Sequence, residues 1–271
     1  MRERRWDLVG PLCVAAAACR VSLADMRVVH GGGRWVFGWL TRTLCQVVFF
    51  SSLGVVIGDR QVTHFVFLGS ALMLAVMDAV LAVNAISWDV GLGMLEVQVR
   101  APQPLWATAV GRGIAWPFSG AATSTIGLLG IGPLVGVAWG LADIPAVVVL
   151  VLVTAAGSYG LALTLGALAL RVPRLRNVVS NLGYLAVTIL SGVFVSTDSW
   201  PAGVRLMAQT LPSTHALTAL REIAADEGTA ALWPHLPLAA LAGALWSVAA
   251  GVAFGAVARA LRRDGMSEAF A

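Results

Sequence analysis

The sequence predicts an all-α integral membrane protein with six transmembrane helices. Hydrophobic residues make up 58% of its 271 residues and charged residues only 12%, which is about half the charged fraction of a soluble domain. Six apolar runs are long enough to cross a hydrocarbon core of about 30 Å as helices. This composition excludes a water-soluble enzyme, which needs more polar surface, and a disordered chain, which is less hydrophobic and more charged.

The first element is an N-terminal segment, residues 1–34, which we interpret as an uncleaved amphipathic helix lying in the inner membrane interface. A signal peptide is the alternative interpretation, because the basic start MRERR precedes an apolar stretch from Leu8 to Ala18. Three consecutive glycines, 31–33, are expected to form the hinge into the first span. Residues 35–271 are predicted to form the six-span transmembrane domain.

The spans themselves are read from apolar runs bounded by polar or turn-forming residues. They are Trp35–Ile57, Phe65–Ile86, Gly113–Trp139, Ile144–Leu170, Val178–Val195 and Leu236–Ala258. Pro117 and Pro133 are expected to kink or end helix in the third run, because proline lacks an N–H and crowds the preceding turn. Residues 196–221 are predicted to form a re-entrant segment of short helices at the outer face, because the apolar stretch Leu206–Leu211 is too short to cross.

Arginine placement predicts the orientation. All 18 basic residues are Arg. If both termini are cytoplasmic, all but Arg60, Arg205 and Arg221 lie on the inner side, as the positive-inside rule requires. The sequence therefore predicts a multi-pass protein of a bacterial inner (cytoplasmic) membrane with its N- and C-termini in the cytoplasm.

Several chemistries are disfavoured by residue content. Without lysine the chain has no GxxxxGK[ST] phosphate-binding loop, so any ATP is expected on another chain. The three cysteines and four histidines lack metal-site spacing, so we expect no metal and no catalytic residues. The dispersed arginines also give no basic stripe for nucleic acid.

Two segments together carry a family resemblance. Between the second and third spans the chain reads GLGMLEVQVRAPQPLWATAVGR, and after the fifth span it reads LSGVFVSTDSWPAGVRLMAQTLPSTHALTALR. Their Gly-x-Leu-Glu, Leu-Ser-Gly and Leu-Pro-x-Thr patterns, in this order within six spans, resemble the type-2 ABC exporter permeases. This family comprises the transmembrane subunits of exporters of drugs, natural products, lipids or polysaccharides.

The resemblance implies a non-catalytic membrane subunit of an ATP-driven exporter. Such permeases pair as homodimers or heterodimers on two separate ATP-binding cassette subunits, which would hold ATP and Mg, while this chain binds no cofactor. Residues 88–101 would form the cytoplasmic coupling helix. Contacts with the ATP-binding subunit would come from Trp88, Asp89, Leu92, Leu95, Glu96 and Arg100. The expected substrate is a hydrophobic drug or natural product, and a lipid-linked polysaccharide or glycolipid is the alternative.

One acidic residue lies deep inside a predicted span. Asp78 is about 20 Å into the second span, where a carboxylate is costly and faces protein or a wet cavity. It either lines a translocation path or bonds a neighbouring helix and tunes packing. The other path candidates are Asn84, Thr123, Tyr184 and Thr188.

Two ladders of small residues spaced four apart are expected to let helices pack closely. They are Gly132, Gly136, Gly140 and Ser247, Gly251, Gly255. An ATP-independent secondary transporter typically shows internal repeats and several intramembrane charges, and a membrane enzyme shows clustered acids or histidines. Neither pattern is evident, so both remain the less favoured functions.

Overall fold

The computed structural model describes residues 3–31, 33–225 and 228–264, and within them the regular secondary structure is entirely helical. The predicted glycine hinge includes Gly32, which lies outside the described residues. The helices are α1 Glu3–His30, α2 Thr41–Ile57, α3 Arg60–Gly91, α4 Met94–Arg100, α5 Leu105–Gly113, α6 Ala115–Ile126, α7 Gly132–Val135, α8 Asp143–Ala169, α9 Arg176–Leu190, α10 Ala202–Gln209, α11 Pro212–Ala224 and α12 Leu232–Asp264. Two π-helical segments, Trp35–Leu40 and Gly127–Ile131, precede α2 and α7.

Five helical stretches in the described part of the chain are long and apolar enough to cross a membrane. They are Trp35–Ile57, Arg60–Val90, Leu105–Val135, Asp143–Ala169 and Thr229–Arg263. These five agree, by length and composition, with the first to fourth and the sixth predicted spans, but the third begins at Leu105 and ends at Val135, whereas Gly113–Trp139 was predicted. The fifth predicted span, Val178–Val195, is instead the 15-residue helix α9, which rises only about 22 Å. It ends early because Gly192 adopts a left-handed conformation, with φ of 79°, that turns the chain.

The third span is broken at the predicted prolines. α5 ends at Gly113 and Pro117 lies in the first turn of α6, so the α-helical pattern is interrupted at Ile114, although Ile114 keeps helical dihedral angles and the two helices form one continuous stretch. Pro133 similarly occupies the first turn of the short helix α7. The expectation that both prolines interrupt the helix is therefore confirmed.

α3 is the central helix of the bundle. It packs against α2, α6, α8, α9 and α11, and its most apolar stretch is almost entirely buried. Phe67, Leu72 and Val76 on this helix are at most 1% exposed. A helix that is apolar on all sides is expected where neighbours surround it.

α8 and α12 cross at very short range. A Cβ atom on Gly243 would lie 2.6 Å from the Cα of Gly157, and one on Gly160 would lie 2.6 Å from Ser247 Oγ. Small residues at both contacts let the two backbones approach. Within the predicted ladder Ser247, Gly251 and Gly255, only Ser247 takes part in this crossing. A Cβ on Gly251 would meet no described neighbour within 4 Å, and one on Gly255 would meet only Arg259, on the same helix.

The other predicted ladder, Gly132, Gly136 and Gly140, does not lie along a helix. α7 ends at Val135, Gly136 caps it in a left-handed conformation with φ of 88°, and Gly140 lies in the following loop. The expectation of a helix-packing stripe was wrong here. Gly136 meets the conformational demand of a turn, and a Cβ there would also lie 2.8 Å from Arg60 Nη2 on α3.

The segment between α9 and α12 forms two short helices. α10 has 8 residues and α11 has 13, so neither is long enough to cross a bilayer. α11 packs against α3, α8 and α12 with a buried face that includes Leu217 and Leu220. The second half of the predicted segment 196–221 is therefore built into the bundle. Asp226 and Glu227, which follow it, lie outside the described residues.

Candidate functional site

α4 is a short helix held at one end of the bundle, which we call the α4 end. It begins after Gly93, whose left-handed φ of 69° turns the chain out of α3, and it ends at Arg100, with Ala101 as its cap just before Pro102. Glu96 lies in its first turn and Arg100 in its last, where both charges favour the helix dipole. The two side chains form an ion pair of 2.6 Å. The helix is shorter than the predicted segment 88–101, since Trp88 and Asp89 belong to the last turns of α3.

The two faces of α4 differ in exposure. Leu95 and Val99 are 3% and 2% exposed and pack into the core, whereas Val97 is 64% exposed. The exposed apolar residues at the α3–α4 turn and on α4, here called the α4 face, are Trp88, Leu92, Met94 and Val97.

The six predicted partner contacts divide between these two environments. Trp88, Leu92, Glu96 and Arg100 are exposed. Asp89 and Leu95 are buried, so they anchor the segment and are not available for direct contact. Their assignment to the contact surface is corrected accordingly, because the sequence pattern did not reveal which face packs inward.

Polar contacts fasten α4 to the rest of the protein. Gln98 Nε2 donates a hydrogen bond of 2.9 Å to Asp89 Oδ2 at the end of α3. From α12, the Arg262 guanidinium donates to the carbonyl oxygens of Val99 and Ala101, at 3.1 and 3.4 Å. These carbonyls belong to the last turn of α4 and its cap, which have no further helical donors. α4 is therefore held firmly against α3 and α12.

Asp78 is fully buried where α3 meets α6 and the π-helical segment before α2. Trp39 Nε1 donates to both of its carboxyl oxygens, each at 3.2 Å, and Ser119 Oγ donates to Oδ2 at 2.9 Å. Trp35 Nε1 in turn donates to Ser119 Oγ at 3.3 Å. Asp78 thus joins three helical segments. This is the arrangement expected if Asp78 bonds neighbouring helices and tunes their packing.

The remaining path candidates are dispersed. The Thr123 side chain lies beside Asp78, is fully buried and donates to the carbonyl of Gly120 on its own helix. Thr188 on α9 likewise donates to the carbonyl of Tyr184. Asn84 is half-buried, and its Oδ1 atom has no hydrogen-bond partner among the described residues.

Arg221 organises the opposite end of the bundle. Its Nη2 atom donates to the carbonyl oxygens of Phe65, Gly192 and Val193 at 3.3, 2.9 and 3.3 Å, and the guanidinium lies 3.4 Å from the centre of the Phe65 ring. These contacts tie α11 to the start of α3 and the turn after α9. The sequence marked Arg221 as the last residue of a motif but gave no sign of its partners.

The comparison with known families agrees with these features. A model of the ABC-2 type transporter family matches residues 32–224, which is more than two thirds of the chain. The chain belongs to the ABC-2 type transporter family. The matched region includes α4, Asp78 and Arg221, whereas Arg262, which binds the end of α4, lies beyond it. A search of curated proteins found no match. The protein is a multi-pass membrane protein of the ABC permease type.

Proposed function

We propose that this ABC-2 protein forms the translocation path of an ATP-driven exporter and that the α4 face docks on a separate ATP-binding subunit. The α4 face carries the proposal. An apolar surface on a short helix at the end of a membrane bundle needs a partner, because water would otherwise contact it. The anchored inner side of α4 lets a partner move the helix together with the bundle.

The arginines support a cytoplasmic α4 end. Arg262 near the end of α12 contacts α4 directly, and Arg171, Arg174 and Arg176 lie at the junction of α8 and α9. By the positive-inside rule, this end faces the compartment that holds ATP. The missing lysine also supports a division of labour, since a P-loop lysine would have to come from the partner chain.

Apolar outward faces on α2 and α9 support a hydrophobic passenger and a second permease copy. Phe49 and Val56 on α2 are 62% and 84% exposed, and Leu182 and Leu185 on α9 are 60% and 50% exposed. Lipid or another protein satisfies such surfaces equally well. In keeping with the pairing of permeases in this family, we propose that a second copy covers part of these faces and that the two copies enclose a path for a hydrophobic drug or natural product.

The test begins with co-purification of the tagged full chain from its native host, followed by an ATPase assay on the retained protein. Val97→Glu places a charge on the α4 face, and we expect retention of the ATP-hydrolysing subunit to fall about tenfold or more, as for a central interface residue. Leu206→Glu is the matched control, because Leu206 is an exposed leucine on α10 that should not affect retention. Unchanged retention by Val97→Glu would refute the docking assignment.

Vesicles containing the permease and this subunit then test export. A fluorescent hydrophobic dye should move only when ATP and both proteins are present. Dye movement without the ATP-binding subunit, or none with the complete system, would refute the proposed function.

A further inference from the structure

Arg112 lies at the junction of three helices at the α4 end. It is near the end of α5, and its side chain is 10% exposed. Its Nη1 atom lies 2.6 Å from Asp25 Oδ2 on α1, and its Nη2 atom lies 3.1 Å from Asp89 Oδ1 on α3. One guanidinium therefore bridges carboxylates from two separate helices.

The bridge continues into α4. The second oxygen of Asp89 accepts the hydrogen bond from Gln98, so Asp89 is held from both sides. On α1, Ser22 Oγ donates a hydrogen bond of 2.8 Å to the carbonyl oxygen of Arg112. A continuous chain of polar contacts thus runs from α1 through Arg112 and Asp89 to α4.

We propose that Arg112 is a positioning residue that makes the end of α1 and α4 one docking unit for the ATP-binding subunit. The proposal rests on the docking function of α4 given above. A displacement applied to the α4 face passes through Asp89 and Arg112 to Asp25, so α1 follows α4. Planar guanidinium geometry suits this task because its fork binds two carboxylates at once.

The two ion pairs of Arg112 differ in burial. The Asp89 side chain is 10% exposed, so loss of Arg112 would leave a buried carboxylate without a counter-charge and disturb the contacts that hold α4. The Asp25 side chain is 52% exposed and can be solvated when its partner is lost. Asp25→Asn therefore removes the ion pair to α1, while it preserves the Arg112–Asp89 pair and the hydrogen bond from Ser22 to the Arg112 carbonyl.

The rest of α1 has its own contact with α5. A Cβ on Gly111 would lie 2.5 Å from the Cβ of Ala18, so the two helices are closely packed one turn or more away from Asp25. α1 therefore remains docked in the Asp25→Asn variant. Only the end of α1 beyond Ser22, which carries Asp25, loses its tie to the Arg112–Asp89 pair and through it to α4.

The experiment measures the distance between spin labels on cysteines placed at the exposed positions Ala24 on α1 and Met94 on α4. It uses the full chain in phospholipid nanodiscs, with the three native cysteines changed to serine. We expect Asp25→Asn to broaden the distance distribution about twofold or more, consistent with the loss of a half-exposed ion pair. The matched control is Asp198→Asn, which alters an exposed carboxylate in the turn before α10. An unchanged distribution in Asp25→Asn would overturn the proposal.

A second measurement uses the ATP-binding subunit identified by co-purification. In Asp25→Asn, dye exported per ATP hydrolysed should fall about fivefold while retention of the subunit stays close to that of the unmodified protein. In an Arg112→Lys background, Asp25→Asn should add little, because the two changes remove the same link. Equal, additive losses would overturn the positioning role. Failure of Val97→Glu to release the subunit would refute only the docking function, since the distance measurement needs no partner.

Discussion

The crossing of α8 and α12 gives a sharp prediction for Gly243→Ala. The new Cβ would lie 2.6 Å from the Cα of Gly157, whereas ordinary carbon contacts begin near 3.4 Å. The obstacle is backbone, so the helices must separate by nearly 1 Å, which forfeits a large part of the local dispersion energy. Overpacking of this kind costs about 1–3 kcal/mol, and the gain in helix propensity from Gly to Ala returns at most about 1 kcal/mol. We expect a net loss of about 1–2 kcal/mol.

Gly251→Ala is the matched control on the same helix. No described neighbour lies within 4 Å of its Cβ position, so the variant should gain up to about 1 kcal/mol from propensity alone. Thermal unfolding of both variants in one detergent, followed by circular dichroism, should give a lower Tm for Gly243→Ala and an unchanged or higher Tm for Gly251→Ala. Equal shifts of the same sign in the two variants would refute the close crossing.

Three further predictions concern buried contacts. Asp78→Asn keeps one acceptor for Trp39 and should retain dye export within about threefold. Asp78→Leu leaves buried donors unpaired and should lower the free energy of unfolding by about 1–3 kcal/mol in thermal unfolding. A larger export loss in Asp78→Asn than in Asp78→Leu would contradict this packing role. Arg221→Gln removes the cation that binds three carbonyls, so hydrogen exchange around Gly192 should rise, while Arg205→Gln at an exposed position should not change it. Leu95→Ala should cost about 2–5 kcal/mol because Leu95 is 3% exposed; a shift in Tm no larger than that of an exposed residue would show that α4 is not anchored as described.

The sequence predicted long apolar elements well and short ones poorly. Runs such as Ile144–Leu170 are unambiguous, because about 20 apolar residues in a row have few other uses. Val178–Val195 was harder, since its hydrophobicity continues past Leu190 although Gly192 ends the helix with a positive φ. Hydropathy does not report backbone dihedral angles.

Spacing alone was a weak guide to packing. Gly132, Gly136 and Gly140 have the same four-residue period as Gly243 and Ser247, yet of these two sets only Gly243 and Ser247 lie at a helix crossing. Which face of a helix meets a neighbour depends on the placement of the whole bundle.

The candidate site was predicted in location but not in its contacts. Asp78 and the segment around Glu96 stood out because charges are rare in this chain. The partners Trp39 and Ser119 are 39 and 41 positions away from Asp78 in sequence, and Asp25 is 87 positions from Arg112. Such pairs form only when helices distant in sequence pack together, so a single sequence gives little sign of them.

The brevity of α9 has a consequence for the surrounding lipid. Its rise of about 22 Å is several ångströms less than the hydrocarbon thickness of about 30 Å. Its outward side is apolar at Leu182, Leu185 and Ile189, so neighbouring acyl chains must shorten or tilt to match the short apolar length of α9. We therefore expect the bilayer to be thinner next to α9 than elsewhere around the protein. A hydrophobic substrate of the proposed exporter that left along α9 would then cross a thinner apolar layer than one that left along a full-length span.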